Sequence, residues 1–226
     1  AVVLRSPHSH AHIVSINTND AKALSSTLLI LTGLDLLHAG ILPIQNRPIP
    51  SARTDIKLYS PDGSSPAMRD QFPLALKKVR YCGEAVAFIV AESLSEAMDA
   101  AELIDVSYEA LPANIDADKA CAYDSPLVWE DLPNNLGVDN CIGQPAATAK
   151  AFAQADYTVS LKIHASRVTG APMEPRGGVG EYKAKTGEYT LWAGGGGAAR
   201  HRAELATIMG VPTEKMRVVC GDVGGN

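Results

Sequence analysis

Four stretches of this 226-residue chain carry residue types at spacings that can do chemistry. Gly194, Gly196 and Ala199 satisfy a loose G-x-G-x-x-A fingerprint between a strand-like and a helix-like run. Backbone N–H groups of such a turn, with the positive end of the following helix, can cradle a phosphate, and Arg200 and Arg202 would add charge. Against a dinucleotide site, the preceding run reads as one arm of an antiparallel hairpin and not as the opening strand of a βαβ unit. The plainer reading is a tight turn in which side chains do not fit. Gly224-Gly225-Asn226, after a strand-like run and Asp222, is the second stretch; successive glycines let main-chain amides approach a ligand closely. In Pro172-Met173-Glu174-Pro175-Arg176-Gly177-Gly178, two prolines hold the backbone around Glu174, with Arg176 close enough in sequence to fork onto its carboxylate. Glu174 as a general base is one reading; a structural Glu174–Arg176 clamp is the favoured one. Finally, His8, His10 and His12 alternate and would share one face of a strand. No carboxylate stands close in sequence to complete a metal site, so surface or satisfied histidines are favoured, and no metal ligand is assigned.

The elements that must position these residues fall into two groups. In the first, Ala1–Leu4, Ile13–Ile16 and Leu28–Leu31 read as strands, with helical turns over 20–25 and 33–38. Six prolines between Pro43 and Pro73 mark an irregular excursion. Ala85–Val90 is a continuous apolar run of buried-strand length. Ser93-x-x-Glu96 is a capping box opening a helix to about Leu103, with Ala97, Ala100, Ala101 and Ile104 on one face. Strict alternation over Ile104–Tyr108 closes a strand–helix–strand unit, so residues 1–120 are expected to form one domain and polar 121–145 a linker. Beyond it, residues 155–165 alternate as a half-buried strand (Tyr157, Val159, Leu161 and Ile163 on one side), and Gly178–Tyr182 and Tyr189–Ala193 pair across a Thr186-Gly187 turn. Ala198–Met209 is a helix ended by Gly210 and Pro212, and Met216–Cys220 a strand.

Composition removes several function classes. With 46% hydrophobic and 20% charged residues the chain is globular, and a net charge of -5 with three Phe and two Trp argues against nucleic-acid binding. No apolar run reaches the roughly 18 residues of a membrane span, and the opening residues are no signal peptide. Cys82, Cys121, Cys141 and Cys220 are too scattered for a C-x-x-C metal or iron–sulfur site; they suit buried small hydrophobes in a reducing, cytoplasmic setting.

Taken together the stretches resemble the molybdenum-cofactor-binding large subunit of the xanthine dehydrogenase/aldehyde oxidase/carbon monoxide dehydrogenase family. Ser6-Pro7-His8-Ser9-His10-Ala11-His12-Ile13 is similar to an early family strand, and Val79–Ala87 with Val90–Glu92 and Ala97–Pro112 to its α/β hammerhead domain. Arg167–Gly177 is similar to its M-E-P-R segment, and Gly221-Asp222-Val223-Gly224-Gly225-Asn226 to a cofactor loop that family members continue with Phe-Gly. The fold implied is α+β: a hammerhead domain over 1–120, then, over 146–226, the start of a mixed α/β molybdopterin-binding domain. Glycines at 194–197, where xanthine dehydrogenases proper carry Ser-Thr-Gln, point to the carbon monoxide dehydrogenase-like branch.

The resemblance also implies a function. The family binds a molybdenum pyranopterin, as molybdopterin or its cytosine dinucleotide, and hydroxylates aldehydes or N-heterocycles, or oxidises CO, with water as oxygen donor. Electrons leave through [2Fe-2S] clusters and FAD on a small and a medium partner subunit or domain. By position Gly224, Gly225 and Asn226 would lie beside the cofactor, while no catalytic residue is expected in this chain. The chain is therefore expected to be an N-terminal fragment, inactive by itself and dependent on a C-terminal remainder. A nucleotide-binding enzyme built on Gly194–Ala199 and a non-catalytic docking scaffold are the alternatives.

Overall fold

The computed structural model describes residues 1–46, 62–63, 65–67, 69–166, 168 and 170–224. The described residues within 1–56, 67–137 and 208–210 form one compact unit, and those within 57–66, 138–207 and 211–226 a second.

The first unit is built on two antiparallel three-stranded sheets. One has the order β1 (Val2–Arg5), β5 (Ala85–Ala91), β3 (Thr27–Thr32); the other has the order β4 (Lys78–Val79), β2 (Ala11–Asn17), β6 (Asp105–Ala110). Helices α1 (Asn19–Ala23), α2 (Gly33–His38) and α3 (Leu94–Glu102) complete it. The strand–helix–strand passage read from the sequence is present. Its apolar strand β5 is buried on both sides because successive side chains serve different cores. Ala87 and Ile89 join Ala21, Ile30, Ala97, Ala100, Ala101 and Ile104, and Val86 joins Ala11, Ala75 and Val79. The alanine face of α3 has no side chain beyond Cβ, which suits a close approach of the helix to the sheet. Ser93 caps α3: its Oγ accepts the Glu96 N–H at 3.3 Å and donates to Glu96 Oε2 at 2.6 Å. A second box, not read from the sequence, opens α2. Thr32 donates both its N–H (2.7 Å) and its hydroxyl (2.6 Å) to Asp35 Oδ2, and these bonds hold the Asp35 carboxyl below its ordinary pKa.

The polar stretch expected as a linker from residue 121 is strapped to this unit as far as Gly137. Asn135 is its knot: Nδ2 donates to the carbonyls of Ala120 and Pro126, both at 2.9 Å, and Oδ1 accepts the Val128 N–H at 2.8 Å. The Arg80 guanidinium lies 3.6 Å from the centre of the Trp129 ring and donates to the Val128 carbonyl. Leu132 is buried, and Asp131 pairs with Arg69 at 2.9 Å. Asn, Pro and Gly read as linker composition, but here they terminate turns whose side chains are used internally.

In the second unit a parallel pair decides the topology. Strand β7 (Gly178–Lys183) pairs antiparallel with β8 (Glu188–Ala193), and β8 pairs parallel with β9 (Met216–Val219) through α5 (Ala198–Ile208). The hairpin turns at Gly187, whose φ of +67° suits glycine, and Gly210 (φ +64°) ends α5. Two features depart from the sequence reading. Residues 145–154 form a helix, α4 (Pro145–Gln154), alanine-rich with proline in its first turn, where the sequence reading assigned no element. Residues 155–165 form no strand; Tyr157, Val159, Leu161 and Ile163 are 93%, 91%, 81% and 80% exposed. Their alternation is genuine, but a strand needs a neighbouring strand, and none of the described strands pairs with this stretch.

Candidate functional site

Parallel pairing of β8 and β9 brings the carboxyl ends of both strands to one edge of the sheet. Trp192 stands opposite Val219, so Gly194–Gly197 and Gly221–Gly224 leave the same edge. Antiparallel β7 begins there too, with Gly178 opposite Ala193, which delivers the Pro172–Gly177 segment. Three stretches singled out separately in the sequence therefore converge. In sheets of this kind the outside of the carboxyl ends is where ligands bind.

Glu174 joins them. Its half-buried side chain sends Oε2 to accept the N–H of Gly224. Its Oε1 lies 2.9 Å from where a Cβ on Gly194 would stand, and its own Cβ lies 2.9 Å from where one on Gly224 would stand. A second side chain, His201 in the first turn of α5, covers the neighbouring residue: a Cβ on Gly195 would stand 2.1 Å from the imidazole Cε1. The His201 N–H donates to the Gly197 carbonyl at 3.3 Å. Gly194 and Gly195 are thus glycine because two side chains already occupy the space beside them, and Gly197 (φ +152°) adds a backbone requirement. His201 carried no assignment in the sequence; a lone histidine four residues into a helix gives no signal of what its ring covers.

The remaining candidates go elsewhere. Among the described residues no ion pair joins Glu174 to Arg176, which is exposed. The contact that Glu174 makes is to main chain, the Gly224 N–H, and not to Arg176. Gly225 and Asn226 lie outside the described residues. Arg200 bonds Glu204 at 2.7 Å, and Arg202 donates to the Thr213 carbonyl at 2.9 Å, so neither serves the glycine turn. The strand before that turn does open a βαβ unit, contrary to the hairpin-only reading, since β8 has a neighbour on each side. Yet the Glu174 carboxylate and the His201 ring fill the space beside Gly194 and Gly195, which matches the tight turn of the plainer reading.

The three N-terminal histidines separate. Only His12 is on β2; His10 is buried with Nδ1 2.8 Å from the Pro112 carbonyl, and the His8 ring packs 4.8 Å from that of Tyr108. No group of three metal-ligating side chains occurs among the described residues. Cys82, Cys121 and Cys141 are exposed, not buried as small hydrophobes, because the loops that carry them are at the surface.

Elsewhere the strongest electrostatics belong to the first unit. Burial pushes the Glu84 carboxyl up, against the N–H it accepts from Arg80 at 2.5 Å and the Arg80 charge. Burial also lowers Arg80 and Lys78. Glu84 tethers the turn after β4, since its carbonyl accepts the Ser6 N–H at 2.9 Å.

Residues 1–112 match the family described as aldehyde oxidase and xanthine dehydrogenase, a/b hammerhead domain, and residues 128–226 match the molybdopterin cofactor-binding domain. The chain belongs to the xanthine dehydrogenase/aldehyde oxidase/carbon monoxide dehydrogenase family of molybdopterin oxidoreductases. Within that family it is 33% identical to the carbon monoxide dehydrogenase large chain of Afipia carboxidovorans, over 98% of this chain and 27% of the relative. It is 30% identical to the nicotine 6-hydroxylase large subunit of Paenarthrobacter nicotinovorans, over 100% of this chain and 26% of that one. Among solved structures, a Cu,Mo-CO dehydrogenase superimposes over the whole chain and 27% of its own, with a TM-score of 0.80 at 30% identity. A quinoline 2-oxidoreductase from Pseudomonas putida 86 does so with 0.79 at 29%, over 100% of this chain and 27% of that one. The chain spans about a quarter of the length of these molybdenum hydroxylase relatives. The α+β fold, a hammerhead followed by molybdopterin-binding sequence, is the family's.

A molybdenum pyranopterin presents anionic phosphate and dithiolene groups, for which main-chain N–H donors are suited. The described residues fit such a group in one respect, an anchored main chain: Glu174 fills the space a Gly224 side chain would take and accepts the Gly224 N–H, so Gly224 would offer a fixed loop and not a free donor.

Proposed function

We propose that this chain forms part of the large subunit of a molybdenum hydroxylase that oxidises an aldehyde, an N-heterocycle or CO with water as oxygen donor. Electrons pass to [2Fe-2S] clusters and FAD on a small and a medium partner subunit, in the cytoplasm. The observation that carries this reading is the meeting of the 172–177, 194–197 and 221–224 segments at the carboxyl ends of β8 and β9. The matched relatives support it, since their names tie them to CO and nicotine. Bound there, the molybdenum pyranopterin supplies the two-electron redox centre. The chain's own part is to orient it: main chain at Gly224, Gly225 and Asn226 approaches the cofactor, and Glu174 holds that loop in place. No residue of this chain is assigned a catalytic proton transfer. No helix among the described residues is long and apolar enough to cross a membrane.

Purification of the complete large subunit with its two partner subunits tests the proposal. Stoichiometric molybdenum, and dye reduction with at least one of a panel of purines, pyridines, aldehydes and CO, are expected. A complete complex without molybdenum overturns it. The 226-residue chain alone is expected to hold no molybdenum and reduce no dye; stoichiometric metal in it would show that the rest of the subunit is dispensable for binding.

A further inference from the structure

Gly194 and Gly224 are 30 residues apart in sequence and meet at one carboxylate. Each feature of that meeting is asymmetric. Against Gly224 the crowding atom is Glu174 Cβ, which is fixed to its backbone; against Gly194 it is Oε1, the free end of the side chain. A methyl group at 194 therefore has an easy escape: it pushes the carboxylate aside. The carboxylate is also what accepts the Gly224 N–H, and a hydrogen bond to an ionised acceptor is among the stronger kinds. Crowding at 194 is thereby transmitted to 224 through a single side chain. Prolines on both sides of Glu174 and Met173, at 172 and 175, restrict the backbone that would have to absorb the displacement.

We propose that Glu174 is a positioning residue that sets the backbone of the 221–224 loop by holding the Gly224 amide, and that Gly194 is required because its missing side chain leaves room for that carboxylate. Resting on the cofactor reading above, the role of Glu174 toward the molybdenum pyranopterin is to preset the loop that approaches it. The residue itself need touch neither cofactor nor substrate. The 194–197 loop then acts on the cofactor site indirectly, through Glu174.

The test is a double-mutant cycle in the complete large subunit purified with its partner subunits: Glu174→Ala, Gly194→Ala and the pair, with Glu174→Gln as the conservative variant. Two readouts are taken, amide hydrogen exchange of peptides spanning 220–226 and molybdenum per subunit. Loss of a charge-assisted bond predicts exchange at Gly224 faster by about tenfold or more in Glu174→Ala. Gly194→Ala alone should accelerate the same amide, and adding it to Glu174→Ala should change nothing further, because the side chain it displaces is gone. Glu174→Gln, which keeps an acceptor of the same reach without the charge, should fall between wild type and Glu174→Ala. Molybdenum content should follow the same order. Exchange of β8 and β9 amides serves as the folding control, and Glu174→Gln carries the test if the alanine variant loses those strands. Unchanged exchange at 224 in both Glu174 variants, or a Gly194→Ala effect undiminished in the Glu174→Ala background, overturns the proposal. If the wild-type complex holds no molybdenum, the cofactor reading fails while the exchange cycle still decides whether Glu174 couples the two loops.

Discussion

The two units obey the same sequence rules with opposite results. In the first, alternating and continuous apolar runs are buried: Val79, Val86, Ala87 and Ile89 are fully inaccessible, and both hydrophobic cores lie there. In the second, Ala206 and Met216 are the buried apolar residues among those described, while the alternating side chains of 157–163 stand in solvent. An apolar pattern states which face a strand would bury; a neighbouring strand must exist before anything is buried. β2, β5 and β3 find antiparallel neighbours within the first unit, whereas 155–165 finds none among the described residues. The difference teaches that the first unit buries its own apolar pattern, whereas the second is organised around an edge where loops meet.

The largest effect should come from breaking the first core. Ile89→Ala removes a fully buried side chain from the centre of β5 and should cost about 2–5 kcal/mol. Urea unfolding followed at Trp129, in a Trp192→Phe background, reads it. The same measurement at Trp192 on Leu161→Ala should shift by no more than about 0.5 kcal/mol, as for an exposed site. Equal losses from the two substitutions would abolish the contrast.

Next in size, Asn135→Ala removes three hydrogen bonds and alters a residue held at a φ of +52°. A loss of about 2 kcal/mol is expected, with faster proteolysis between 120 and 137. A silent Asn135→Ala would mean that the strap is not part of the first unit's stability.

The smaller effects are pH-dependent and have opposite signs. Asp35 is held below its ordinary pKa by Thr32, so its capping contribution is present above the ordinary carboxylate range and is lost as pH falls through the lowered value. Asp35→Asn should cost about 1 kcal/mol at neutral pH, and less in acid. Glu84 is raised by burial, so its protonated form favours the fold: that stability is present below the ordinary carboxylate pKa and is lost as pH rises through the raised one. Glu84→Gln should flatten this window, and an unfolding free energy measured from pH 3 to 7 distinguishes the two. If both variants tracked the wild type in parallel, neither carboxyl would be coupled to folding.

Much of the fold was legible because it rests on local signals. The Ser93–Glu96 cap, the alanine face of α3, the continuous β5 run and the Thr186-Gly187 turn each need only a few consecutive residues. The 121–137 strap was hidden because its hydrogen bonds use the same Asn, Pro and Gly residues that compose linkers. α4 was hidden because an alanine-rich segment with few large apolar residues shows weak periodicity. At the site, Glu174, the glycine run and Gly224 were each visible as unusual residues, but their partners were not. Glu174 was paired with Arg176, its near neighbour in sequence, when its partner lies 50 residues away.

By itself the sequence determined the family, the element types of the first unit and which residues were worth suspecting. Caps, turns and periodicities act over three or four residues, and the family's motifs are written in consecutive positions. Only the tertiary structure decided that 174, 194 and 224 form one site. That result depends on β8 having an antiparallel neighbour on one side and a parallel one on the other. Strand registry across a helical crossover is a property of packing, and no short stretch of the chain encodes it.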